Sequence, residues 1–269
     1  MNGVAFRHAF ARRWKAAVLL GLGMGAFQYV VLLTSSSFFS VGESALPSLI
    51  VSPPRAIRAF LGGATNLISP DGWIASAMLH PIALSLASIS ALLVPAASGV
   101  SELERGTLDL VLARPVGRKP YLAARIGAGL SLMAVAHALM LVGMLVGWAT
   151  LEGVKALTLE QILIAWLGAT AIFSFFSAAG AWIFVSSDQR GRAMGWTVAL
   201  IVGSFLANFL SLAFDTTEFL GPITPFRYFR VPVLLDGGPW VQHYLVLAGG
   251  TLACAIGALW SFSRRDLTR

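Results

Sequence analysis

Charge is what this sequence has least of. Only 12% of its 269 residues are Asp, Glu, Lys or Arg, about half the fraction usual in a soluble domain. A soluble core of this size needs a polar coat, and the chain has too little polar material to make one. A membrane class follows. Cysteine is almost absent too. Cys254 stands alone, which excludes an internal disulfide and gives no information on redox compartment. The dipeptide Gly-Lys does not occur, so the chain has no phosphate-binding loop of the GxxxxGK(S/T) type. Histidine, cysteine and acidic residues are too sparse at ligand spacing for a metal site. The net charge of +7 raises nucleic acid as a partner, but the placement of the charges argues against it.

What the chain does have is a series of charge-free windows: 16–42, 72–101, 126–151, 161–187, 193–214 and 237–263. The shortest holds 22 residues. At about 1.5 Å per residue each can cross a hydrocarbon core of about 30 Å. None alternates with period two, and a spanning segment must satisfy its own backbone, so helices are expected. The spans are placed within 16–36, 73–99, 123–148, 161–185, 193–214 and 240–262. The expected fold is an all-α integral membrane protein, one transmembrane domain over 1–269. It has six transmembrane helices and short interfacial helices: amino-terminal, extracellular and cytoplasmic. The basic start followed by an apolar run resembles a signal peptide, but the run is too long and lacks a small-x-small cleavage site, so it reads as a retained first span.

Lys and Arg divide unevenly between the two sides. Arg7, Arg12, Arg13, Lys15, Arg105, Arg114, Arg118, Lys119, Arg125, Arg190, Arg192, Arg264, Arg265 and Arg269 fall on the side of the termini, 14 of the 19. Arg55, Arg58, Lys155, Arg227 and Arg230 fall on the other. The positive-inside rule therefore places both termini in the cytoplasm of a multi-pass protein of the cell inner or plasma membrane.

The loops are patterned. Phe6, Phe10 and Trp14 recur at spacing four among basic residues, as in an interfacial helix. In "PPRAIRAFLGG", Pro54 suits a helix start and Gly62-Gly63 a stop. Ile57, Phe60 and Leu61 are expected on one face, on the outer leaflet or capping the bundle. In "GPITPFRYFRVPVLLDGGPW", Pro222, Pro225 and Pro232 forbid one continuous helix, and the aromatic residues with two arginines suit the membrane interface. Gly21 with Gly25, and Gly143 with Gly147, make small-xxx-small faces for helix packing.

Polar residues inside spans are functional suspects. Gln28, His80, His137 and Asn208 are the candidate path-lining positions. For the two histidines, packing or hydrogen bonding ranks ahead of a path role, because a neutral imidazole is far cheaper to bury than a charge and no span holds an acidic partner. The sparse polar points favour an amphipathic or lipid-like substrate. A secondary transporter is the rival reading. It needs coupling-ion ligands in the membrane, and no Asp or Glu lies in any window. Ser98 in "AASG", considered with His137, suggests an intramembrane hydrolase, but GxSxG is absent and Ser98 sits at the end of its span.

The densest charge lies where span two ends. Between 101 and 119 stand Glu102, Glu104, Arg105, Asp109, Arg114, Arg118 and Lys119. Ser101 and Glu104 form an S-x-x-E capping box. Leu103, Leu110 and Val111, with Thr107, share a face, and Glu102, Arg105 and Asp109 lie towards the other. Pro115 and Gly117 end the segment. A short amphipathic helix over about 101–114 follows, with Pro95 expected to kink the span before it.

"ELERGTLDLVLARPVGRKPYLAAR" resembles the signature of ABC transporter permeases of the ABC-2 type exporter superfamily, in which a Glu-rich turn, Gly-Thr-Leu, an apolar run and Pro-Val-x-Arg follow the second span. "FSRRDL" and "TPFRYF" resemble that family more weakly. The resemblance implies that 101–114 is a coupling helix seated on a separate ATPase subunit. Its contact residues would be Glu102, Glu104, Arg105, Gly106, Thr107, Leu108, Leu110, Arg114, Pro115 and Arg118. It also implies no catalysis and no cofactor on this chain. ATP and Mg would bind the ATPase, present in two copies, beside a second permease copy or a paralogue in the lipid bilayer.

Overall fold

The computed structural model describes residues 3–39, 53–64, 69–97 and 117–265. Among these residues every regular element is helical. In chain order the α-helices are α1 (Gly3–Ala11), α2 (Trp14–Phe39), α3 (Arg55–Phe60), α4 (Pro70–Leu79), α5 (Pro81–Ala91), α6 (Leu93–Ala97), α7 (Arg118–Thr150), α8 (Leu159–Val185), α9 (Arg190–Ala213), α10 (Val231–Leu235) and α11 (Trp240–Arg264). Short 3-10 helices occupy Glu152–Val154, Asp215–Ile223 and Pro225–Phe229. Helices α2, α7, α8, α9 and α11 are each long and apolar enough to cross a bilayer. Helix α4 with α5–α6 passes the same test as one broken span, bent by 53°.

Start signals agree with the boundaries. Thr158 caps α8 by accepting from the Gln161 amide at 3.1 Å, while its own amide donates to Gln161 Oε1 at 3.0 Å. Two backbone donors of that helix start are satisfied reciprocally. Helix α3 starts after Pro54 and stops where Gly62 and Gly63 take φ of +70° and +98°. It caps the bundle rather than lying free. Phe60 meets Phe205 at 5.6 Å and Phe209 at 6.3 Å, and Leu61 is buried. Ile57, expected on the same face, instead points outward and is exposed.

Helix α8 is the hub. Of its most apolar window 61% is buried within the chain, against 17% for α11. Helix α11 therefore turns most of its surface to lipid or to another chain. The tightest contact joins α2 and α7. The two glycine pairs read from the sequence face one another there. A Cβ on Gly25 would stand 2.5 Å from the Leu139 carbonyl oxygen, and one on Gly143 would overlap the Gly25 carbonyl. A Cβ on Gly21 would reach Ala136 Cα at 2.8 Å. Only glycine permits this backbone approach, and close van der Waals packing of this kind is what holds helices together in lipid.

The contacts define two ends of the bundle. Arg13, Ala96, Ala97, Arg118, Asp188 and Arg265 meet at the end that carries both termini, here the terminal face. At the far face, Arg55 pairs with Asp215 and Trp148 Nε1 donates to the Leu157 carbonyl at 2.8 Å.

Candidate functional site

The residues expected to dock, Glu102, Glu104, Arg105, Gly106, Thr107, Leu108, Leu110, Arg114 and Pro115, lie outside the described residues, as does Ser98. The chain is described up to Ala97 and again from Gly117. What surrounds the segment is a set of arginine braces.

Arg125 is buried, with 4% of its surface exposed. Its Nε donates to the Ala97 carbonyl at 2.5 Å and its Nη1 donates to the Tyr121 hydroxyl at 3.0 Å. Its guanidinium also sits over the Tyr121 ring, 5.4 Å from the centroid. Arg13 donates from Nη2 to the Ala96 carbonyl at 2.7 Å. The last carbonyls of a helix have no partner within it. Cations at that end also meet the negative end of the helix dipole. Arg13, in the turn between α1 and α2, and Arg125, on α7, thus pin the end of α6 shortly before the expected coupling segment.

The other side is braced as well. Arg118 donates from Nη1 to the Arg265 carbonyl at 2.8 Å. Arg265 donates to the Val185 carbonyl at 2.5 Å and the Ser187 carbonyl at 2.9 Å, and pairs with Asp188. Tyr121 stacks on Phe262 at 6.4 Å. Arg118 is therefore the one nominated docking residue among the described residues, and it ties the re-entry point of the chain to the end of α11. Arg125 was missed as a site residue. Its signal was present: an arginine at the edge of an apolar window, four residues after Tyr121, on one helix face.

The second span is broken by chemistry that the sequence half shows. Pro95 was expected to kink it, but the main bend lies at His80–Pro81. His80, preceding a proline, is extended at φ −58° and ψ 138°. Each proline lacks an amide hydrogen and so frees the carbonyl four residues earlier. For Pro81 that is Ala77, and Gln28 Nε2 on α2 donates to it at 3.0 Å. For Pro95 it is Ala91, and Ser177 Oγ on α8 donates to it at 3.0 Å. In a bilayer no water would fill that role, so two neighbouring helices supply the missing donors.

The four candidate path positions sit on four different elements: Gln28 on α2, His80 between α4 and α5, His137 on α7 and Asn208 on α9. Gln28 and His80 meet at the bend, where the His80 ring lies 5.1 Å from Phe27 and its Nδ1 accepts from the Ile82 amide at 3.2 Å. His137 is fully buried elsewhere. Its Nε2 lies 3.1 Å from Ser90 Oγ and its Nδ1 3.0 Å from Thr170 Oγ1, and its carbonyl accepts from Trp166 Nε1 at 2.8 Å. A neutral imidazole offers one donor and one acceptor. Both hydroxyls also lie within reach of backbone carbonyls, Ala87 and Trp166. One of them must turn to the ring instead. His137 thus pins α5, α7 and α8 together. Asn208 is buried on α9, and its Oδ1 has no partner among the described residues, as is also true of Gln28 Oε1.

All of this frame except Arg13 falls within one family match. A family model described as "ABC-2 family transporter protein" matches residues 15–267. No curated protein and no solved structure matches the chain.

Proposed function

The chain belongs to the ABC-2 family of transporter proteins, and from that membership we propose that it is the permease subunit of an ATP-driven exporter. It is a multi-pass membrane protein built from apolar helices. In this reading two copies, or this chain and a paralogue, line a path as single transmembrane domains. Two ATPase subunits lie beneath the terminal face, which is cytoplasmic. ATP and Mg bind those subunits, and this chain performs no chemistry.

The observation that carries the reading is the pinning of Ala96 and Ala97 by Arg13 and Arg125. The last carbonyls of any helix need partners, but two charged donors from separate parts of the chain also fix the position from which the next segment starts. A segment that transmits force needs rigid ends, since slack in the anchor would absorb the stroke. Residues 101–115 would sit on the ATPase, with Leu110 in an apolar pocket and Glu102, Glu104, Arg105, Arg114 and Arg118 setting register. Movement of the ATPase pair on ATP binding would pull α6, and through the broken span would reach the bend at His80–Pro81. Gln28 and His80 at that bend, with Asn208, are the polar points on offer to an amphipathic substrate.

Co-purification tests the assignment. The permease should retain its ATPase partner and stimulate its ATP hydrolysis. Glu104→Ala should weaken both slightly, through loss of half a capping box worth about 1 kcal/mol. Arg105→Glu should weaken them more, and Leu110→Asp most, because it places a charge in an apolar pocket. If Leu110→Asp changes neither, the segment is a solvated loop. A secondary transporter would retain no ATPase at all. Orientation has its own test: a cysteine placed at Gly3 in a Cys254→Ser background should resist an impermeant thiol reagent in intact cells, and its labelling would overturn the topology.

A further inference from the structure

At the far face, the turn Pro225–Phe229 is a rigid platform. Thr224 Oγ1 accepts from the Phe226 amide at 3.2 Å and donates to the Ser204 carbonyl at 2.7 Å. A 3-10 helix has three residues per turn, so residues three apart eclipse one another. Phe226 and Phe229 take the inward side and are buried, Phe226 lying 5.7 Å from Phe176 and 5.6 Å from Phe205. Arg227 and Arg230 share another side. Tyr228 takes the third and meets the His243 ring edge-on at 5.5 Å and 90°. His243 belongs to the first turn of α11, whose amino end adds positive potential.

This arrangement carries an unbalanced cost. Arg230 is half-buried, and neither its Nε nor His243 Nδ1, both sealed from solvent, has a hydrogen-bond partner among the described residues. Each buried unsatisfied polar atom calls for an explanation. Arg227 and Arg230 also repel one another and both raise the potential at His243, while Glu218 is the acidic residue that offsets Arg230. Burial and then Arg227 disfavour the Arg230 charge. Tyr228 meets His243, and Trp240 pairs with Tyr244 in the first turns of the same helix; aromatic rings of this kind sit at headgroup depth.

We propose that Arg227, Arg230 and His243 form a binding site for a phosphate group at the membrane–water boundary of the far face. A phosphate would take the parallel N–H pair that the exposed Arg227 guanidinium presents through Nε and Nη, lift the repulsion between the arginines, and draw Arg230 and His243 outward so that their sealed nitrogens gain a partner. Phosphate at this depth comes either from a phospholipid headgroup or from a phosphate-bearing solute. The site does not depend on the ATPase reading, and the test contains no ATPase, so each can fail alone.

The test uses the full chain purified in an uncharged detergent, with its thermal midpoint followed during titration. The probes are dioctanoyl phosphatidylglycerol, glycerol phosphate, and dioctanoylglycerol as the phosphate-free match. The first should raise the midpoint and the third should not. Arg227→Gln, an exposed position that leaves the fold alone, should weaken the apparent affinity about tenfold, as should His243→Gln. Lys155→Gln, a cation at the far face paired with Glu152, should leave it unchanged. A response to the phospholipid alone supports a headgroup site, and a response to glycerol phosphate as well supports a solute site. The proposal is overturned if neither phosphate probe shifts the midpoint, or if Arg227→Gln and His243→Gln both titrate like the wild type.

Discussion

Removing Gln28 should matter only as long as Pro81 is present. Gln28 Nε2 donates to the Ala77 carbonyl at 3.0 Å, the carbonyl that Pro81 leaves without a helical partner. Gln28→Leu strands that acceptor in a dry interior, which costs about 1–3 kcal/mol for a buried unsatisfied group. Two effects reduce the figure. Gln28 Oε1 has no partner among the described residues, so its loss relieves a cost. Hydrogen bonds between membrane helices also measure low, about 0.6 kcal/mol on average and about 1.7 at most. The expected loss is therefore about 1 kcal/mol, roughly a fivefold shift in the folding equilibrium. Pro81→Ala returns a backbone N–H that can bond the Ala77 carbonyl as the helix straightens. In that background Gln28→Leu should be close to neutral. The assay is a double-mutant cycle by reversible unfolding in mixed micelles. A coupling energy of about 0.5 kcal/mol or more supports the reasoning. Equal costs in the two backgrounds, within about 0.3 kcal/mol, would show that Gln28 holds α2 to α4 by packing alone.

Three further outcomes follow from the same structure. Arg125→Gln loses the guanidinium fork that joins Ala97 to Tyr121. It should cost about 1.5–3 kcal/mol and should lower stimulated ATP hydrolysis more than it lowers ATPase retention, measured on the same preparation; unchanged stimulation would refute the brace. Gly143→Leu should force α2 from α7 and lower the thermal midpoint by an overpacking cost of about 1–3 kcal/mol, whereas Gly23→Leu, where a Cβ meets nothing within 4 Å, should not; equal midpoints would contradict the interface. Arg55 holds the Asp215 carboxyl below the usual carboxylate range, by a hydrogen bond and then by its charge. A depressed carboxylate contributes fully above its unfolded value of about 3.9 and loses that contribution as pH falls through the lower folded value. The stability gap between wild type and Asp215→Asn should thus be constant from about pH 8 to about pH 5 and close only under about pH 4; a gap that closed near neutrality would implicate another group.

The candidate site was legible in unequal parts. The capping box Ser101–Glu104, Pro115 and the family signature pointed to about 101–114, which lies outside the described residues, and Arg118, nominated with them, is described as a brace. Arg125 was counted only as a loop charge, although the structure gives it the deepest role at that end. Its partner, the Ala97 carbonyl, is 28 residues away, and a carbonyl has no identity in a sequence. His137 was weighted toward packing for a sound reason, the cost of a buried charge, and its contacts with Ser90 and Thr170 agree. Ile57 was placed on one face with Phe60 and Leu61 from helical periodicity, but α3 has only six residues, too few for a moment to define a face that tertiary contacts cannot rotate.

What the sequence determined by itself was local or cumulative. Hydropathy adds along each window, so the membrane class and the helical nature of the spans needed no contacts. The glycine pairs at 21/25 and 143/147 also declared close packing, because a missing side chain has few other uses in a span. What the tertiary structure decided was pairing. It set the two glycine faces against each other, gave Ala77 and Ala91 to Gln28 and Ser177, gave Ala96 and Ala97 to Arg13 and Arg125, and brought Tyr228 to His243. Each of these joins groups that are far apart in the chain. In the bilayer every helix satisfies its own backbone except where a proline or an end breaks it, and which distant side chain fills such a gap is set only when the helices pack.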